Sequence, residues 1–159
     1  MPNPPTPVPA AGDRAPDFAL PSTSGETVTL GGVLQTANAL LAFFPLAFTS
    51  TCTAELCAFS EDFDEFRQAG VTVLPISVDS TATLKEFKAK HGMKTDLLSD
   101  FKREVSRKYG VLLEDRFYSA RAYFLIGQDG IVRWSHVEPN PGQRRENSEI
   151  LEKIAALVG

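Results

Sequence analysis

"ALLAFFPLAFTSTCTAELCAFSEDFDEFRQAG", residues 39–70, decides the fold. Its first six residues, Ala39 to Phe44, form an unbroken apolar run closed by Pro45. That is how a strand covered on both faces reads. Behind the proline a helix is expected from about Thr51 to Ala69, stopped by Gly70. "VTVLPISV" then repeats the buried-strand pattern, and a helix over about Thr81 to His91 follows it.

Short strands are expected upstream, around Phe18 to Leu20 and Val28 to Leu30, joined by the turn-like "PSTSGE". Downstream, a helix over Phe101 to Tyr109 ends at Gly110. "AYFLI", "GQDG" and "IVRWSHV" then read as a hairpin. The last helix, about Asn147 to Val158, sets Ile150, Leu151, Ile154 and Leu157 at helical spacing. Strand-helix crossovers closed by a hairpin predict an α/β sandwich with a mixed central sheet, flanked by helices. One domain is expected over residues 12–159. Met1 to Ala11 precede it as a mobile arm, because five prolines deny the arm helix and ladder bonds.

Composition narrows the partners. Sixteen Lys and Arg against twenty Asp and Glu, with net charge −4 and no long basic block, point away from nucleic acid and anionic membranes. No apolar run approaches the roughly 18 residues that span a bilayer, and the N-terminus lacks the basic and apolar regions of a secretory signal. A cytoplasmic location is the expectation. In that reducing setting two cysteines read as reactive or metal-binding rather than as a staple. There is no Cys-x-x-Cys, and His91 and His136 lie far away, so neither a metal nor a cofactor is expected.

Both cysteines, Cys52 and Cys57, fall on the first turns of the helix after the buried strand. Stepping about 100° per residue places Leu56, Phe59, Phe63 and Phe66 on one stripe with Cys52 at its N-terminal end. Cys52 therefore faces the core side. Cys57 lies about 140° around, toward Glu61 and Asp64. An intact helix separates their Cα atoms by about 8.7 Å, and a disulfide needs less than roughly 7 Å. The bond can form only if the first turns unwind.

A thiol on the first helical turn feels unpaired N–H groups and the positive end of the macrodipole, which favour thiolate. No Lys or Arg stands between Pro45 and Phe66, so any cation for Cys52 comes from elsewhere in the chain. Of the hydroxyls of Thr49, Ser50, Thr51 and Thr53, three are expected to cap the helix and one to meet a substrate. Read singly, Cys52 is also an ordinary small core residue and Cys57 an incidental surface thiol. Their concentration at a strand-to-helix junction favours chemistry.

The spacing Pro45-x-x-x-Thr49-x-x-Cys52 resembles the active-site motif of the peroxiredoxins, thiol peroxidases of thioredoxin-like fold. The likeness runs from about Gly12 to Val158, through "APDFAL" and "GVTVLPISVD". "FFPLAFT" is similar to the alkyl hydroperoxide reductase E type, and "CTAELC" to the Q type, the bacterioferritin comigratory proteins. The resemblance implies that Cys52 attacks the peroxide O–O bond and becomes a sulfenic acid. It implies that Thr49 binds the peroxide, that Pro45 shields the thiolate, and that Arg121, in "SARAYFLI", supplies the cation. Glu55 matches a Q-type acid of the pocket network, although a first-turn carboxylate favoured by the dipole reads equally well.

Cys57 matches the Q-type resolving cysteine, which forms an intramolecular disulfide reduced by a thioredoxin or glutaredoxin-type partner. Thr51 stands where that type usually carries glycine, as if the loop followed the E type. The alternatives are a single-cysteine peroxidase resolved by external thiols, or a redox sensor switched by Cys52–Cys57 oxidation. E-type relatives imply a homodimer and Q-type relatives a monomer. "GQRREN" reads as a solvated loop, and Trp134 as no more than a fluorescence reporter.

Overall fold

The computed structural model describes residues 6–158. Of the arm expected over Met1 to Ala11, Met1 to Pro5 lie outside that range. Thr6 and Pro7 run against Gly110, where an added Cβ would stand 2.4 Å from the Thr6 carbonyl oxygen. With φ at +69°, that position suits glycine on both counts.

A small antiparallel hairpin, β1 (Ala19–Pro21) with β2 (Thr27–Thr29), leads into a short helix, α1 (Leu30–Leu34), whose first turn is capped by Thr29. Then come β3 (Asn38–Phe43), α2 (Ser50–Glu61), α3 (Phe63–Gln68), β4 (Val71–Ser77) and α4 (Thr81–His91). A two-residue strand β5 (Leu98–Ser99), α5 (Glu104–Lys108) and a tiny hairpin, β6 (Leu112–Leu113) with β7 (Tyr118–Ser119), precede the closing hairpin. That hairpin joins β8 (Ala122–Ile126) to β9 (Val132–Val137), and α6 (Asn147–Leu157) ends the fold.

The central sheet has the order β5-β4-β3-β8-β9. β3, β4 and β5 run parallel, while β8 is antiparallel to both β3 and β9. The mixed α/β sandwich expected from the sequence is the observed one. Side-chain alternation explains why β3 is apolar from Ala39 onward. Ala39, Leu41 and Phe43 join Phe124, Ile126 and Tyr109 on one face. Leu40 and Ala42 join Tyr123, Leu125, Phe59, Phe66 and Ile150 on the other, beneath α2, α3 and α6. Phe124 is fully buried, with its ring centroid 5.8 Å from that of Phe43 and 5.0 Å from that of Tyr109. Phe124→Ala should therefore cost about 3–5 kcal/mol, seen as a lower urea midpoint at unchanged slope.

Two expected helices differ from observation for identifiable reasons. The long helix over Thr51 to Ala69 is broken at Asp62, where the backbone leaves the helical region (φ −96°, ψ 18°). Asn147 locks that break, its Nδ2 donating to the Ala58 carbonyl at 2.9 Å and to Asp62 Oδ2 at 2.8 Å. The helix expected from Phe101 begins only at Glu104. The buried Asp100 carboxylate accepts from the amides of Val105 (3.1 Å) and Ser106 (2.7 Å), so the chain ahead of α5 turns back, with Arg103 left-handed at φ +63°.

Candidate active site

The junction between β3 and α2 places Cys52 on the first turn of α2. Its side chain is buried, 1% exposed, at the floor of a cleft of about 280 Å³ whose walls include Pro45, Thr49, Tyr118, Arg121 and Pro141. The first helical bond runs from Thr53 N to the Thr49 carbonyl at 2.9 Å. The amides of Ser50, Thr51 and Cys52 thus precede the bonded ladder and stand at the positive end of the helix.

The expected capping is not made. Thr49 occupies the N-cap position, but its hydroxyl makes no capping bond and donates instead to the Leu46 carbonyl at 2.8 Å. Thr53 donates back to the Thr49 carbonyl at 2.8 Å. These hydroxyls are taken by neighbouring carbonyls, and Thr49 keeps its oxygen lone pairs as acceptors. The loop ahead is held by Asp79, whose Oδ2 accepts from the Ala47 amide at 2.8 Å and from Ser77 Oγ at 2.7 Å.

The cation missing near Cys52 in sequence arrives from the opposite wall. Arg121, just ahead of β8, is 1% exposed and reaches Cys52 Sγ with Nη2 at 3.0 Å. The same Nη2 lies 3.0 Å from the Pro141 carbonyl, and Nη1 donates to Glu55 Oε1 at 2.9 Å. Cys52 and Glu55 stand three residues apart, on one face of α2, so one guanidinium fork spans both. Burial works against the charge on Arg121, but Glu55 and Cys52 beside it outweigh burial and hold the guanidinium above its ordinary range.

Glu55 is not a first-turn carboxylate: it lies in the second turn, 1% exposed, so the dipole reading fails. Burial pushes its carboxyl above the usual range, against the pull of Arg121, of the Tyr123 hydroxyl and of Arg144. Tyr123 donates to the second carboxylate oxygen. Pro45, Thr49, Cys52, Glu55 and Arg121 are thus brought together. Cys57 is not among them. It sits half-buried at the edge of the cluster containing Leu56 and Phe87, and burial, then Glu61, raise its thiol above the ordinary value. Both cysteines are free, and α2 runs unbroken through them.

Some participants were not singled out in the sequence. Tyr123 could have been, since it lies two residues past Arg121, where the extended chain entering β8 brings alternate side chains to one face. Pro141 and Gly142 carry no such signal. "GQRREN" is more than a solvated loop: Gly142 lines the Cys52 cleft, and the Arg145 amide donates to Tyr123 Oη at 3.0 Å. Among the described residues no helix is long and apolar enough to cross a membrane.

Residues 11–135 match the AhpC/TSA family. The chain is 36% identical over 149 residues to alkyl hydroperoxide reductase E of Mycobacterium bovis, covering 92% of this chain and 97% of that protein. It is 39% identical over 128 residues to peroxiredoxin Bcp of Escherichia coli K12, covering 77% of this chain and 81% of the relative. Among solved structures, the reduced 2-Cys peroxiredoxin of Plasmodium vivax superposes with a TM-score of 0.85 at 34% identity, over 92% of this chain and 81% of that one.

Proposed function

Because the chain belongs to the AhpC/TSA family and is a peroxiredoxin, an enzyme that reduces peroxides with a thiol, we propose that Cys52 is that thiol and that Cys57 resolves it. The observation that carries this reading is the Arg121 guanidinium 3.0 Å from a sulfur at the floor of a cleft. A cation at that distance favours negative charge on sulfur.

The Cys52 thiolate attacks one peroxide oxygen. The S–O bond forms as O–O breaks, leaving a sulfenic acid and an alkoxide or hydroxide that takes up a proton. Arg121 and the open amides at the start of α2 face the negative charge that builds on the leaving oxygen. Thr49, whose hydroxyl donates to the Leu46 carbonyl, has lone pairs free to accept a hydrogen bond from the hydroperoxide O–H. The substrates are hydrogen peroxide and organic hydroperoxides, in keeping with the relative named alkyl hydroperoxide reductase.

In the second step the Cys57 thiol gives up its proton and attacks the sulfenic sulfur; the S–S bond forms as S–O breaks, and the departing hydroxide takes up that proton to leave as water. Helix geometry forbids this with α2 intact, so the first turns unwind. The Asn147 bonds to Ala58 and Asp62 set the limit of unwinding just beyond Cys57. A thioredoxin or glutaredoxin-type dithiol in the cytoplasm then restores both thiols.

Intact-mass analysis after one equivalent of hydrogen peroxide tests the pair. The expected product has lost two hydrogens and gained no oxygen, whereas Cys57→Ser stops at one added oxygen. If the unmodified chain also holds the added oxygen, Cys57 is a bystander and external thiols resolve Cys52. Sustained peroxide consumption with a dithiol reductant is expected; arrest after one oxidation would make the pair a sensor switch.

A further inference from the structure

We propose that Tyr123 is a positioning residue for the Cys52 reaction: its hydroxyl, donated to Glu55, anchors the carboxylate that in turn holds the Arg121 fork against the sulfur. The proposal rests on the reading of Cys52 as the reacting thiol.

Chemistry fixes the direction of each bond in this chain. The Arg145 amide can only donate, and it spends that bond on Tyr123 Oη at 3.0 Å. The phenol proton is left for Glu55 Oε2. Burial first, then the facing Glu55 charge, push the Tyr123 hydroxyl far above its usual range, so it remains a donor. Glu55 Oε1 takes Arg121 Nη1 at 2.9 Å. Both carboxylate oxygens thus have a donor, and the carboxylate plane is set.

The groups facing Glu55 are few. Arg121 and Tyr123 approach from the sheet, Arg144 from the loop before α6, and Cys52 stands one turn back on the same helix. Without the Tyr123 proton, Oε2 is a buried acceptor with no donor, in a carboxyl that burial already pushes up. Neutral Glu55 would then hold Arg121 less firmly, and the fork would drift from the sulfur. The ring itself is anchored separately, stacked on Trp134 with centroids 6.1 Å apart, so Tyr123→Phe keeps the packing and removes only the hydroxyl.

The test is a double-mutant cycle on the first oxidation, followed by stopped flow, with the oxidised residue identified by peptide mass. Tyr123→Phe should slow peroxide reaction at Cys52 about 10- to 100-fold, the scale of a small misplacement of a reacting group. In a Glu55→Gln background the same substitution should change the rate by about twofold or less, because the two act as one unit. Equal rate losses in both backgrounds would overturn the proposal, as would an unchanged rate in Tyr123→Phe.

Stability against pH gives a reading free of activity. The Tyr123→Phe variant raises the folded-state Glu55 carboxyl still further. Relative to the parent it should lose stability as pH rises from acid to neutral, and this dependence should vanish with Glu55→Gln. No such dependence would show that the phenol does not hold Glu55. If the parent's first oxygen lands elsewhere than on Cys52, the failure belongs to the assigned thiol and not to Tyr123.

Discussion

Cys52→Ser is expected to abolish the fast reaction with peroxide while leaving the fold intact. Serine is close to isosteric, and its hydroxyl can still accept from Arg121 Nη2, which stands 3.0 Å from the present sulfur. Losing the nucleophile itself should lower the second-order rate by more than about 10⁴-fold, because no other thiol in the chain shares this setting. Cys57 has burial and Glu61 raising its thiol and lies outside the cleft. Stopped-flow mixing of the reduced variant with hydrogen peroxide decides the matter. A rate equal to that of the parent would move the chemistry to Cys57 and undo the assignment.

Arg121→Met should harm both rate and stability, and the two effects can be separated. For the rate, the substitution removes the buried cation at the sulfur and one donor to the developing charge, worth about 10²- to 10³-fold. For stability, it strands Glu55, whose partner at 2.9 Å is gone while both side chains were 1% exposed. Breaking a buried pair from one side costs about 3–5 kcal/mol. Glu55→Gln in the same chain should restore most of that stability, since no charge is then left unpaired, and none of the rate. With Arg121 gone, the Glu55 carboxyl stands higher in the folded state than in the unfolded one. The Arg121→Met variant should therefore be most stable in acid and weaken as pH rises through that group's titration. Urea denaturation at several pH values measures this. A stability loss that persists undiminished with Glu55→Gln would show that packing, not the ion pair, was lost.

The β3-α2 junction was legible because local rules suffice there. A six-residue apolar run, a proline and a helix start fix where Cys52 sits without reference to the rest of the chain. The long strands and α4 were legible for the same reason, each having enough residues to show its period. Elements that escaped are too short to carry one. β5, β6 and β7 have two residues each, and they exist because a neighbouring strand accepts their bonds. The break between α2 and α3 was hidden likewise, since the Asn147 side chain that secures it lies 85 residues from Asp62.

Sequence alone determined that one thiol begins a helix behind a buried strand, and that an unbroken helix holds its companion beyond disulfide reach. Both follow from backbone geometry within a few residues. Only the tertiary structure decided what surrounds that thiol. The sheet brings Arg121, 69 residues away, to the sulfur, and the chain of Glu55, Tyr123 and the Arg145 amide behind it is closed by burial. A buried charge must find its partners wherever the fold delivers them, and spacing along the chain does not encode that.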